Sequence, residues 1–221
     1  MIDCHLLSSV YLKENNWIQI IIDESSCNNC SKDVILRKVA EKEIDYWYVF
    51  YKSQKIMIKI FYKVQDKALF EKLFEEINEC NCYAELHTFL PEVHQFGGEV
   101  NWFNCVLLLK KCSLLKIYNT IDLNDICGLS MYWLQSMDRE IAKKTLVNLV
   151  QIRNIDLTMP EEILQVMNWR FEQTDEIVRA IKIQIGDEMT LPFVFIFMYN
   201  VLDLNYSQQV KVIFNLYRRF C

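Results

Sequence analysis

The stretch "YWYVFYKSQKIMIKIFYK", from Tyr46 to Lys63, decides the fold because its pattern predicts a β-hairpin. Two runs rich in aromatic and β-branched residues flank the polar tetrapeptide "KSQK". This pattern is typical of two antiparallel strands joined by a tight turn. The hairpin therefore predicts an antiparallel sheet in the first half of this 221-residue chain.

Side chains alternate between the two faces of a strand, so the second strand of the hairpin has two different surfaces. One face carries three isoleucines and Tyr62. The opposite, basic face carries Lys55, Met57, Lys59 and Phe61. This basic face is either a solvated outer surface or the floor of a groove. The first strand places aromatic residues on both faces, which suits an aromatic core and equally suits a core with a groove behind it.

Further predicted strands and helices flank the hairpin on both sides. Residues 17–22 predict a buried strand, residues 32–43 predict a helix, and "YAELHTFL" predicts a further strand. After the hairpin, Asp66 predicts the N-cap of another helix. The apolar stripe of that helix recurs every three or four residues and comprises Leu69, Phe70, Leu73, Phe74 and Ile77.

Helical spacing dominates the second half of the chain. The predicted helices cover residues 102–118, 138–152, 160–173 and 190–202, the last of these being the final core helix. The predicted fold class is therefore α+β. An antiparallel-rich sheet with flanking helices, residues 1–98, packs on a mainly helical half, residues 99–221, within a single domain.

Composition and charge exclude several classes of function. The net charge of -5 argues against nucleic-acid binding, which needs a clustered excess of lysine and arginine. The longest uncharged run, Met189 to Leu202, is shorter than the roughly 20 apolar residues of a membrane span. The first 16 residues lack the layout of a signal peptide. A cytoplasmic location is therefore expected.

The nine cysteines predict reduced thiols, since an odd number cannot all pair. Cys27 with Cys30 and Cys80 with Cys82 could supply four thiolates to zinc. The alternative of scattered thiols is favoured, because the CxC pair lies at a helix-to-strand connection. No common nucleotide, metalloprotease or hydrolase motif is present, and the chain has only three histidines. No cofactor is therefore expected.

The stretch "FLPEVHQFGGEV", Phe89 to Val100, concentrates turn residues in a chain with four glycines and three prolines. Gly97 and Gly98 allow positive φ before a helix. They also let backbone N–H groups approach a carbonyl or an anion. The stretch is either a plain connector or a site that includes Glu92, His94 and Gln95, and the residues alone leave both interpretations open.

These elements together resemble a known family. An aromatic strand, a basic strand, a helix, a strand and then P-E-x-x-x-[FY]-G-G resembles the small C-terminal domain of lantibiotic dehydratases, which also occurs alone in thiopeptide biosynthesis. The family reads "Y-x-P-E-x-x-R-Y-G-G" at the turn and "H-x-R-x-R" on the strand, where this chain has "FLPEVHQFGG" and "KIMIK". The resemblance covers residues 17–118. It extends more weakly to "FMYNVL", residues 197–202, which is similar to the family's "H-M-H-L-N-R-L".

The departures from the family pattern point to a particular branch. Members that eliminate glutamate use strand and turn arginines and a late histidine, where this chain has Met57, Lys59 and Gln95 and no histidine in residues 197–202. Elimination needs a base and cationic groups that stabilise the leaving carboxylate. The pyridine synthases of thiazolyl peptides are similar in lacking these residues. That resemblance implies a cofactor-independent enzyme that joins two dehydroalanines by a formal [4+2] cycloaddition.

The same resemblance implies the substrate and the partners. The substrate would be a leader-bearing precursor peptide with azoles, which is macrocyclised with loss of water and of the leader carboxamide. Other enzymes of the pathway are further expected partners, and a homodimer is left open. Two alternatives remain: a glutamate-eliminating lyase that uses Lys59 in place of arginine, and a non-catalytic module that binds the precursor peptide.

The resemblance also implies which residues form the site. The expected catalytic residues are Glu92, His94, Gln95, Lys59 and Tyr199, with His94 or Tyr199 as proton shuttle. The expected substrate-binding residues are Lys55, Trp47, Tyr48, Tyr51, Gly97, Gly98 and Trp102, although for any single aromatic residue core packing is the favoured explanation. Dehydroalanine is a thiol acceptor, so Cys105 and Cys112 are expected to lie away from the groove.

Overall fold

Four antiparallel strands form one sheet: β1 (Trp17–Asp23), β2 (Trp47–Lys52), β3 (Lys55–Phe61) and β4 (Ala84–Thr88). The computed structural model of the chain describes residues 17–23, 25, 29–63, 66–80, 83–91, 93–158, 164 and 190–221. The strand order across the sheet is β2-β3-β1-β4. The predicted strand at 17–22, the hairpin and the strand after Tyr83 are all confirmed.

Two helices connect the strands, namely α1 (Asn29–Ala40) between β1 and β2 and α2 (Lys67–Asn78) between β3 and β4. The order β-α-β-β-α-β with β1 and β3 in the middle is the split-βαβ arrangement of ferredoxin-like folds. Asp66 occupies the N-cap of α2, but its side chain makes no capping hydrogen bond. The predicted start of α2 is therefore correct, but the predicted capping hydrogen bond of the Asp66 side chain is not formed.

The isoleucine face of the sheet packs against α1 and α2, and its register explains why. Ile18, Ile20 and Ile22 of β1 pair with Ile60, Ile58 and Ile56 of β3. All six side chains are fully buried. The apolar stripe of α2 covers them through its buried residues, Phe70, Leu73, Phe74 and Ile77. The predicted alternation of β3 is therefore confirmed.

The opposite face of the sheet packs against the second half of the chain. Five helices are described there: α3 (Glu99–Tyr118), α4 (Leu123–Gln135), α5 (Arg139–Ile152), α6 (Thr190–Val201) and α7 (Tyr206–Phe220). Helices α3 and α6 contact β2, while α7 packs on α4 and α5. The α+β class is therefore confirmed. At β2 the sheet has core on both sides, since the neighbouring Trp47 and Tyr48 are each fully buried.

The helix predictions for the second half are correct in part. The predicted helices at 102–118, 138–152 and 190–202 correspond to α3, α5 and α6. Helix α4 was not predicted, and α7 follows the helix that was expected to be the final one. Helix α7 buries two polar residues, Gln209 and Asn215, which interrupt its apolar stripe. The predicted helix at 160–173 lies outside the described residues, apart from Leu164.

The described residues bear on two further expectations. None of the described helices combines the length and the apolar content needed to cross a membrane. No group of three or more potential metal ligands occurs among the described residues. The side chains of Cys27, Cys30 and Cys82, three of the four thiols of the zinc alternative, lie outside the part of the chain that the structure describes.

The turn between β2 and β3 has a strained backbone that a single substitution is expected to relax. Ser53 and Gln54 both adopt positive φ, at 50° and 64°, as a type I′ turn requires. Glycine adopts this conformation without the steric cost that other residues incur. We expect Gln54→Gly to raise the free energy of unfolding by about 0.5–1 kcal/mol in urea denaturation. Gln54→Ala is the control, because alanine retains the steric cost, and equal effects of the two variants would contradict this explanation.

Candidate functional site

The turn segment Phe89–Val100 is held in place by aromatic contacts at both ends. The ring of Phe89 lies 6.2 Å from that of Trp17 in an edge-to-face arrangement. Phe96, which is 1% exposed, lies 4.8 Å from Trp102 and 5.2 Å from Phe197. Contacts of this geometry stabilise aromatic pairs beyond the area that they bury. The turn therefore has one defined position on the sheet, between β4 and α3.

The glycine pair performs the conformational role that the sequence predicts. Gly97 and Gly98 have φ of 73° and 109°, and Gly98 is the N-cap of α3. The N–H of Gly98 donates to the carbonyl of Val93 at 3.0 Å, and that of Gly97 donates to the carbonyl of His94 at 3.2 Å. Both amides are thus used inside the turn. The glycines shape the turn, and in this conformation their N–H groups are not presented to a ligand.

Lys59 lies beneath the start of this turn on the basic face of the sheet. Its Nζ is 3.5 Å from the ring centroid of Phe89 and 5.6 Å from that of Phe50. An ammonium over aromatic faces is attracted by their electron-rich centres, and the attraction strengthens as water is excluded. The half-buried Lys59 is therefore fixed near the turn. The structure thus brings together Lys59 and the segment that carries His94 and Gln95.

Strand pairing adds two polar residues that sequence reasoning missed. Gln19 pairs with Lys59 on one side and with His87 on the other. Paired residues of an antiparallel sheet project to the same face, so the three side chains form one polar row. The ring of His87 contacts Glu85 at 3.0 Å, and Tyr83 donates to the same carboxylate at 2.6 Å. The hydrogen bonds from Tyr83 and then His87 lower the pKa of Glu85.

We call this region the sheet-face site and define it by Gln19, Met57, Lys59 and His87 on the sheet and by Phe89, His94 and Gln95 on the turn beside it. Within it, His94 is exposed and Gln95 is half-buried. Glu92, the remaining polar residue expected from the turn, lies outside the described residues. The site combines a half-buried ammonium, neutral amides and imidazoles. The ammonium and the amides can donate hydrogen bonds to carbonyl oxygens, and an imidazole can act as a proton donor or acceptor.

Tyr199 does not reach the sheet-face site. It is fully buried, its hydroxyl donates to Ser130 Oγ at 3.2 Å, and burial raises its pKa well above the ordinary value. A side chain without exposed surface cannot transfer a proton to a substrate in this conformation. Of the two residues expected as proton shuttle, His94 is the exposed one.

Three of the four aromatic residues expected to stack on azoles are core residues. Trp47 and Tyr48 are fully buried and Trp102 is 1% exposed. Trp47 and Tyr51 also project to the face opposite Lys59, because they alternate with Tyr48 along β2. Tyr51 is half-buried, with the Nζ of Lys32 lying 5.6 Å from its ring. Three other rings near Lys59 are half-buried: those of Phe89 and Phe50 lie next to its Nζ, and that of Phe197 lies 5.5 Å from Phe50.

Lys55 lies at the far end of the basic face from Lys59. It is exposed and lines a cleft of about 730 Å³ with Arg153, Asn200, Tyr206 and other residues. Residues four apart in a strand are separated by roughly 13 Å. Lys55 and Lys59 are thus on one surface but are not in one cluster.

The two cysteines that were expected to lie away from the groove are buried. Cys105 and Cys112 are 1% and 0% exposed. Burial raises the pKa of Cys112 to about 12 and that of Cys105 further. Both side chains are therefore neutral thiols at physiological pH, and neither is exposed toward a bound alkene.

Comparisons with known proteins show a structural likeness to a solved enzyme. The sequence matches no protein-family profile and no curated protein. The fold resembles part of a lantibiotic dehydratase. That protein is the tRNA-dependent lantibiotic dehydratase MibB from Microbispora sp. 107891, with a TM-score of 0.59 and 14% sequence identity. The match covers 95% of this chain and 28% of the dehydratase.

The expected lantibiotic-dehydratase-like fold is therefore confirmed. At this identity the likeness concerns the fold alone. The chain spans little more than a quarter of the length of the dehydratase that it matches. What the chain does accordingly depends on its own site residues.

Two tyrosine-to-phenylalanine variants test which buried hydroxyl stabilises the core. The Tyr48 hydroxyl has no hydrogen-bond partner among the described residues, whereas the Tyr199 hydroxyl donates to Ser130. A buried polar group without a partner costs about 1–3 kcal/mol, while a net hydrogen bond contributes about 0.5–1.5 kcal/mol. We expect Tyr48→Phe to raise the free energy of unfolding by about 1 kcal/mol and Tyr199→Phe to lower it by a similar amount. Urea unfolding measures both, and destabilisation by Tyr48→Phe would contradict the assignment of its hydroxyl.

Thiol alkylation tests the burial of the cysteines. Cys221 is exposed, whereas Cys105, Cys112 and Cys127 are buried. Because burial raises the pKa of Cys112 to about 12, this side chain is almost entirely a neutral thiol at pH 8. We therefore expect iodoacetamide at pH 8 to label Cys221 and to spare the three buried cysteines until urea unfolds the chain. Peptide mapping by mass spectrometry measures this, and native labelling of Cys105 at the rate of Cys221 would show that the site region is open.

Proposed function

We propose that this chain modifies a ribosomally made precursor peptide and forms the central pyridine of a thiopeptide. In the reaction, two dehydroalanines join by a formal [4+2] cycloaddition that closes a macrocycle. The observation that carries the proposal is the combination of a dehydratase-like fold with Met57, Lys59 and Gln95 at positions where glutamate-eliminating relatives have arginines. The sheet-face site therefore lacks the guanidinium groups that those relatives use for a leaving carboxylate.

The chemistry of the reaction agrees with a site of this kind. One dehydroalanine amide tautomerises to an azadiene, and two carbon–carbon bonds then form with the second alkene. Loss of water and of the leader carboxamide makes the ring aromatic without an oxidant. The tautomerisation needs a proton to move between nitrogen and oxygen near neutral pH, which suits an imidazole. His94 is the exposed imidazole of the turn.

Most of the rate acceleration in this proposal comes from positioning. Holding two reacting groups in the correct geometry lowers a barrier by up to roughly 7–11 kcal/mol. The half-buried rings of Phe50, Phe89 and Phe197 offer flat surfaces for azoles at the sheet-face site. The ammonium of Lys59 and the amide of Gln95 are groups that can donate hydrogen bonds to the backbone carbonyls of a peptide.

The proposal is tested by incubating the protein with a synthetic leader-bearing peptide that contains azoles and two dehydroalanines. The expected products are a macrocycle and a leader carboxamide, with the corresponding loss of water, measured by mass spectrometry. Conversion of a glutamylated serine peptide instead would indicate the lyase alternative. Binding of the peptide without any change of mass would indicate a non-catalytic module.

Matched variants locate the chemistry within the site. We expect His94→Asn to lower the rate by roughly 10²–10⁴-fold, the usual contribution of a general acid–base group. Lys59→Met removes the ammonium but keeps an unbranched side chain, and we expect a loss of at least about tenfold. Lys72→Met, on the exposed side of α2, is the control for lysine and should leave the rate unchanged. If His87→Asn abolishes activity and His94→Asn does not, the proton shuttle lies on β4.

A further inference from the structure

A cleft of about 730 Å³ separates the β2–β3 turn from the loop that joins α6 to α7. Lys52 and Lys55 contribute to one wall, and Arg153, at the end of α5, contributes to the other. The hairpin supplies both lysines because they pair across the turn and so project to the same face. Three cationic residues thus line one opening.

Contacts on several sides hold Arg153 in one orientation. Its guanidinium carbon lies 5.7 Å from the ring centroid of Tyr206, and the Tyr206 hydroxyl donates to the Arg153 carbonyl at 2.6 Å. Its Nη2 donates to Oε1 of Gln209. Gln209 is 3% exposed, and its Nε2 donates to Asn200 Oδ1 at 2.9 Å and to the carbonyl of Leu204 at 2.8 Å. Because both amide hydrogens are used in this way, the oxygen of Gln209 must face Arg153.

The charge of this oriented guanidinium is not neutralised by the described part of the chain. No carboxylate there forms an ion pair with Arg153, and its Nε is buried without a partner. Asp203 also lines the cleft, but its carboxylate lies 3.8 Å from the Nζ of Lys116. Arginine stays protonated, and a half-buried cation without an anion is unfavourable. A ligand that supplies the anion would therefore bind favourably.

We propose that this cleft binds a carboxylate of the peptide substrate, with Arg153 as its fork-shaped partner and with Lys52 and Lys55 closing over it. A planar guanidinium matches the two oxygens of a carboxylate. This inference rests on the proposed function only in that the carboxylate belongs to a peptide. A peptide anchored at Arg153 and extended along the basic face from Lys55 would reach Lys59 after roughly four residues. The cleft thereby positions the chain that enters the sheet-face site.

Binding of short peptides tests this inference without any turnover. The probes carry an uncharged BODIPY dye on the N-terminus and are a tripeptide of leucine, tyrosine and glycine with a free terminal carboxylate, its terminal amide, and an amidated tripeptide in which glutamate replaces tyrosine. Fluorescence anisotropy gives the Kd of each probe. We expect at least one carboxylate-bearing probe to bind at least about tenfold more tightly than the neutral amide. The comparison of the two acidic probes shows whether a terminal or a side-chain carboxylate is recognised.

Variants and a chemical probe separate a binding role from a folding role. We expect Arg153→Gln to weaken binding of the acidic probe roughly ten- to hundredfold, and Arg153→Lys to weaken it less. Arg139→Gln makes the same charge change at an exposed position of α5 and should alter the Kd by less than twofold. In the unmodified protein, the acidic probe should protect Arg153 from phenylglyoxal in peptide mapping. Because this measurement uses the unmodified protein, a folding defect in a variant cannot affect its result.

Several results would overturn the inference. These are equal binding of the acidic and neutral probes, unchanged binding by Arg153→Gln, or protection by inorganic phosphate but not by a carboxylate. Failure of the peptide to cyclise would not bear on it, because binding is measured directly. Conversely, carboxylate binding at Arg153 would not establish pyridine formation.

Discussion

The pairing of β1 with β3 is the constraint on which the rest of the structure depends. Three isoleucines of each strand lie opposite one another, and all are fully buried beneath α1 and α2. A slip by one residue would move Met57 and Lys59 into this core, at a prohibitive cost for the charged lysine. The register is therefore strongly specified. The same register obliges Gln19, Met57 and Lys59 to project to the other face, where the candidate site forms.

The second face of the sheet is covered unevenly, and this unevenness creates the site. The aromatic cluster around Trp17 and Trp102 packs one end of the face against α3. At the other end, the β2–β3 turn and the α6–α7 loop leave a cleft lined by Lys55 and Arg153. Lys59 lies between these two regions, with its ammonium over the ring of Phe89. A peptide that follows β3 would meet apolar rings at one end of the face and cationic groups at the other.

The structure could be predicted from the sequence where a pattern within a few residues determines the local conformation. The hairpin followed from alternation, and the positive φ of Gly97 and Gly98 followed from the absence of a side chain. Tyr48 and Tyr199 could not be placed, because an aromatic residue with one polar atom suits a core and a groove equally well. Helix α7 was missed because its buried face includes the polar residue Gln209. The amide of Gln209 forms hydrogen bonds with Arg153, with Asn200 and with the carbonyl of Leu204 in the α6–α7 loop.

The sequence by itself determined the hairpin, the two faces of β3 and the shape of the glycine turn, because each depends on periodicity or on backbone sterics within a few residues. Only the tertiary structure decided which aromatic residues are buried and that Gln19 and His87 extend the row of Lys59. Only the tertiary structure also placed Arg153 opposite Lys55, about a hundred residues away along the chain. The physical reason is that burial and convergent charge are properties of neighbours in space. The elements that supply those neighbours come from both halves of the chain.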